Sequence, residues 1–89
     1  MNLQDLIKEK AVTHIRAEYG ATLSSVEFQP TRKDFEGDLT LVIFPMLRHI
    51  KGNPEQIGKQ LGTFLEKELD EISGFNVIKG FLNLLVSDA

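Results

Sequence analysis

The apolar residues of this 89-residue chain change their period along its length, and that change dictates a mixed fold. Leu3, Ile7, Ala11 and Ile15 recur at i, i+4 with Leu6 beside them, which lays an apolar stripe along one helical face. Asn2 is placed to cap that helix, and Gly20 to end it near Tyr19, because glycine readily takes the left-handed conformation at a helix stop. From Ser24 the period drops to two: Val26 and Phe28 alternate with Glu27 and Gln29 as far as Pro30, the pattern of a half-buried strand. Residues 38–44, Asp-Leu-Thr-Leu-Val-Ile-Phe, are rich in large apolar and β-branched side chains and closed by Pro45, which predicts a second and central strand.

The helical period then returns. Asn53-Pro54-Glu55 combines an N-cap, a proline at the first helical position and an acid at the positive end of the dipole. The stripe Ile57, Leu61, Phe64, Leu65, Leu69 extends this second helix toward Ile72, with Ser73-Gly74 as its stop. Gly58 and Gly62 each cost about 1 kcal/mol relative to alanine inside a helix, so their i, i+4 spacing marks a flat spot for close packing. Between the second strand and this helix, Met46, Leu47 and Ile50 are spaced for one short helical turn that lifts Arg48, His49 and Lys51 into solvent. Residues 75–79 and 81–86 read as strands around Gly80, which serves as a short link or as a bend within one strand.

The resulting order, α-β-β-α-β-β, repeats one unit in each half. It predicts an α+β fold, a two-layer α/β sandwich with two helices on one face of a mainly antiparallel four-stranded sheet. Residues 1–89 form one domain. A domain of this size buries only about 60–65% of the surface its unfolded chain exposes, which favours a neighbour to lean on. The sheet face away from the helices is left partly uncovered and is a candidate contact.

Several chemistries find no support. There is no cysteine, so neither disulfides nor thiolate metal sites are available, and a reducing compartment, the cytoplasm, is expected. His14 and His49 lie in different elements without a carboxylate motif; His14 is expected at the edge of the first stripe and His49 in a basic loop. No serine is framed as Gly-x-Ser-x-Gly and no glycine loop precedes Lys-Ser or Lys-Thr. Glu66, Glu68, Asp70 and Glu71 read as a solvated helix face, and charges interrupt the N-terminal apolar positions too often for a membrane span.

The net charge of −3 argues against a free-standing nucleic-acid binder, which normally carries a basic excess. The cations are uneven, however: Arg32, Lys33, Arg48 and Lys51 gather in the middle third. The segment Arg32-Lys33-Asp34-Phe35-Glu36-Gly37-Asp38 joins two cations, an aromatic ring and a glycine, a combination suited to RNA, where cations position phosphates and a ring stacks on an unpaired base.

Phe35-Glu36-Gly37-Asp38, then Asn53-Pro54-Glu55-Gln56-Ile57 opening a helix, then Gly80-Phe81-Leu82-Asn83 resemble the N-terminal additional domain of bacterial-type arginyl-tRNA synthetases, across nearly the whole chain. The resemblance implies a non-catalytic domain that contacts the D-loop side of an arginine tRNA, while a downstream catalytic domain of the same polypeptide attaches arginine using ATP. No cofactor is implied for this chain itself and no membrane. On this reading Arg32, Lys33, Arg48 and Lys51 are expected to contact tRNA phosphates from one rim and Phe35 to stack or to support the loop, with Gly37 and Thr40 also at the tRNA and Asp38, Gly80 and Asn83 structuring the loop. Where members carry an aromatic, a glutamine and an asparagine after Gly-Asp, this chain has Leu39-Thr40-Leu41-Val42, and Glu36 splits the motif. Val86-Ser87-Asp88-Ala89 looks like a strand fading into a linker, so a longer synthetase is expected to follow. The rival expectations are a protein-interaction module docking through the open sheet face, and a ribosome- or RNA-associated domain of convergent design.

Overall fold

In a computed structural model, residues 3–23, 26–31 and 37–87 are described. Helix α1 (Leu3–Tyr19) leads to strands β1 (Glu27–Pro30) and β2 (Leu39–Val42), a 3₁₀ helix (Phe44–Arg48), helix α2 (Pro54–Glu68) and strands β3 (Ile72–Ile78) and β4 (Phe81–Val86). The sheet is antiparallel throughout in the order β1-β2-β4-β3, so the second strand of each half lies inside and the first strand of each half forms an edge. The repeated α-β-β order therefore becomes two hairpins joined along β2 and β4.

Both helices cover one sheet face. Ile7, Ala11 and Ile15 of α1 and Ile57, Leu61 and Leu65 of α2 pack with Leu41, Ile43, Leu82 and Leu84 in one core. Gly62 sets how closely α2 sits on β3, because a β-carbon there would lie 2.5–2.7 Å from ring atoms of Phe75. No real side chain fits that space; the glycine loses helix propensity and gains a flush contact between helix and ring.

Asn53 caps α2 by accepting from the Glu55 amide at 2.8 Å. The helix ends earlier than its periodicity suggests: Glu68 is its last residue, and Ile72 to Gly74 belong to β3. Ile72 is buried opposite Val86, and a register shift between Ile72 and Gly74 absorbs the mismatch. Pairing with β4 overrides the helical spacing of Leu69 and Ile72, a tertiary preference that local sequence does not carry. Gly80 is not a bend in a continuous strand. Lys79 (φ 48°) and Gly80 (φ 81°) form a two-residue turn with both residues left-handed, the type I′ geometry that matches strand twist. Asn2 and Ser24 lie outside the described residues.

His14 lies deeper than the edge of the stripe. It is 8% exposed and its ring sits 4.7 Å from that of Phe64, between the helices, with Nε2 buried and without a hydrogen-bond partner. Burial pushes its pKa below the ordinary value, only partly opposed by Glu18. The neutral ring is thus preferred in the folded state, and the unfolded chain takes up the proton first as pH falls. Stability should be full above the ordinary histidine value of about 6.5 and decline below it. Urea midpoints measured between pH 7.5 and pH 5.5 should fall for the wild type and fall less for His14→Phe.

Candidate functional site

The sheet face opposite the helices carries two rows of side chains. Cross-strand partners share a face, so Gln29, Thr40, Asn83 and Asn76 form one row, and Glu27, Val42, Phe81 and Ile78 form another. Val42 is buried and is not among the residues of the helix-side core, as its place on the opposite face requires.

Thr40, Asn83 and Asn76 of the polar row are hydrogen-bonded to one another in sequence. Thr40, 3% exposed, donates its hydroxyl proton to Oδ1 of Asn83 at 2.6 Å, and its hydroxyl is also bonded to that of Thr31 at 2.9 Å. Asn83, 0% exposed, donates through Nδ2 to Oδ1 of Asn76 at 2.8 Å. Polar groups buried this deeply are tolerable only when paired. The chain of bonds joins Thr31, beside β1, to β2, β4 and β3. Thr40 is therefore an internal strut, with its hydroxyl already engaged, and Asn83 is the hub.

Gly37 rests on that hub. A β-carbon at Gly37 would stand 3.1 Å from Cβ of Asn83 and 3.2 Å from Oγ1 of Thr31, and its φ of 149° suits glycine alone. Asp38 then clamps the chain to β4: its amide donates to the Leu84 carbonyl at 2.8 Å and its carboxylate accepts from the Val86 amide at 2.9 Å. Both ends of the 31–37 connection are thus fastened to the open face or its rim. Arg32, Lys33 and Phe35 lie outside the described residues.

Arg48 and Lys51 are exposed and follow the opposite end of β2, beyond Val42. A four-residue strand spans roughly 13 Å, so these cations and the fastenings of the loop are separated by the length of β2. Lys51 lines a cleft of about 270 Å³ with Glu18, Tyr19, Asn53, Gln56 and Gln60, on the helix side. Arg48 and Lys51 thus follow the end of β2 away from Gly37 and Asp38. Glu66, Glu68, Asp70 and Glu71 are exposed at the other end of the sheet, where α2 turns into β3. Gly80 lies in the β3–β4 turn, its carbonyl accepting from the Ile43 amide at 3.0 Å. Thr31 and Asn76 escaped the sequence reading, although a polar residue inside an apolar run, such as Thr40 or Asn83, signals a buried partner.

Comparison with known proteins now decides the family. The family model described as "Arginyl tRNA synthetase N terminal domain" matches residues 1–86. This chain belongs to that family. An arginine–tRNA ligase of Flavobacterium psychrophilum is 36% identical over 98 residues, covering 99% of this chain and 16% of the relative. One of Parabacteroides distasonis is 44% identical over 89 residues, covering 98% of this chain and 15% of the relative. Arginyl-tRNA synthetase of Thermus thermophilus shares the fold, with a TM-score of 0.76 at 16% identity, over 97% of this chain and 14% of that one. The chain spans about a sixth of the length of these relatives.

The polar row yields a direct test. Asn83→Leu should break the bonds to Thr40 and Asn76, costing about 1–3 kcal/mol in a urea titration, the scale expected when buried hydrogen bonds are lost at one hub. Replacing Thr40 and Asn83 together by Val and Leu should cost less than the two single changes summed, because the partners are removed jointly.

Proposed function

We propose that the chain is the N-terminal, tRNA-contacting accessory domain of an arginyl-tRNA synthetase. It does no chemistry itself and supports arginine attachment, with ATP, by a catalytic domain elsewhere in the polypeptide. The observation that carries this reading is the family match along residues 1–86, to relatives named arginine–tRNA ligases that are several times longer. The open sheet face supports it: the helices leave that face free, and the Arg32/Lys33 connection is fastened to it by Gly37 and Asp38. Arg48 and Lys51 supply phosphate contacts at the other end, and the D-loop side of an arginine tRNA is the proposed ligand. A cytoplasmic setting suits that role, and among the described residues no helix is long and apolar enough to cross a membrane.

At a net charge of −3 the domain should bind weakly, at or beyond the roughly 10⁻⁴–10⁻⁶ M of non-specific binding at physiological salt. Specificity is then shared with the rest of the enzyme. A titration with arginine tRNA at low salt, run on the wild type and on Arg32/Lys33 and Arg48/Lys51 double-alanine variants, tests the reading. Each double variant should bind more weakly and lower the log–log salt slope by about 2. Equal binding by all three would remove these cations from the contact. The rival, a protein-docking face, predicts no salt-dependent RNA affinity at all.

A further inference from the structure

We propose that Phe44 is a stacking platform for one unpaired nucleobase, with its ring pre-set by Phe81 and Gly80. The proposal rests on the RNA-binding reading above and adds a residue that none of the sequence motifs contains.

Phe44 is 48% exposed, the large hydrophobic side chain among the described residues that most conspicuously faces water. It opens the 3₁₀ helix directly beyond β2, next to the apolar row of Val42, Phe81 and Ile78 and apart from the helix-side core. Its ring is held rather than loose. Phe81 meets it edge to face, with centroids 6.1 Å apart and planes at 81°. On another side it lies against Gly80, where a β-carbon would come within 2.6 Å of Cζ; only a glycine in the β3–β4 turn permits that approach. The Ile43–Gly80 hydrogen bond ties the turn to the residue preceding Phe44. The ordering of the ring is thus achieved in the fold itself, which removes much of the entropy cost a floppy aromatic would incur on binding.

Size and charge select the occupant. A stable protein contact needs about 800 Å² per partner, and one exposed ring beside a half-covered Phe81 offers far less. A single base needs one ring face. Lys79 is exposed and immediately precedes Gly80 beneath the ring. Arg48 is exposed at the far end of the same 3₁₀ helix, about 8 Å along its axis at 2.0 Å per residue. Both can meet the phosphates flanking a stacked base. Glu27 is the acid on this row, on the outer strand beyond Val42, and the run from Glu66 to Glu71 lies at the opposite end of the sheet.

The chain contains no tryptophan, so Phe44→Trp creates a single reporter at the site. Titrated with an arginine tRNA transcript at low salt, this variant should bind at least as tightly as the wild type by anisotropy of 3′-labelled tRNA. Its fluorescence should be quenched along the same binding curve. Phe44→Leu, which keeps the apolar packing and loses the flat ring, should bind about 5- to 140-fold more weakly, the loss of one base–aromatic stack. Its salt slope should be unchanged because no charge is removed. Unquenched tryptophan while anisotropy reports binding, or Phe44→Leu binding like the wild type, overturns the stacking and leaves Phe44 as a contact for protein. Absence of any salt-dependent affinity in the wild type instead defeats the RNA-binding reading, a failure distinguishable from the first.

Discussion

The structure depends on how closely α2 can lie on β3. At Gly62 the helix backbone sits directly against the ring of Phe75, an approach that any β-carbon would block. That contact, with the burial of Leu61 and Leu65 on either side, seats α2 on the sheet, and Ile7, Ala11 and Ile15 of α1 join the same core. About 25 cal/mol is gained for each Å² of apolar surface removed from water, and the core that gains it lies between the helices and the sheet. The other face is then free of helices and can be shaped for contact.

On that face the molecule makes an uncommon choice for a small domain: it buries polar side chains in the centre of the sheet. Thr40 and Asn83 are as inaccessible as core leucines, and they are tolerated because side chains of β2, β4 and β3, with Thr31 beside β1, form one connected set of bonds. Such a network is rigid when complete and costly when broken. It ends under Gly37, and Asp38 adds two bonds to β4, so the connection carrying Arg32 and Lys33 is anchored on ordered structure. Beyond the opposite end of β2, Phe44 and Arg48 project from a short 3₁₀ helix. Under the proposed function, these two regions at opposite ends of β2 are the ones that would meet the tRNA.

Much of this was legible in the residues. The shift from period four to period two marks α1 and β1, Asn53-Pro54-Glu55 marks the start of α2, and the repeated order implies the two-layer sandwich. The end of α2 was not legible, because Leu65, Leu69 and Ile72 keep helical spacing while Ile72 is claimed by pairing with Val86. Strand order and register are long-range properties, so the meeting of Thr40, Asn83 and Asn76 could not be foreseen, although a lone polar residue within each apolar run was its trace. The same holds for the cations. Arg48 and Lys51 follow β2 at the end away from Asp38, whereas Arg32 and Lys33 lie outside the described residues. Phe44 read as the last residue of a strand, and only the turn at Lys79-Gly80 shows why it is held and exposed.

The central claim is that the helix-free sheet face meets the nucleic acid. Backbone amide resonances followed by NMR as arginine tRNA is added test it most directly. The account predicts shifts concentrated at Thr31, Gly37, Thr40, Phe44, Arg48, Lys79, Phe81 and Asn83. Shifts confined to the outward residues of α1 and α2, such as Lys8, Glu9, Lys59 and Lys67, with the sheet amides unmoved, would contradict it.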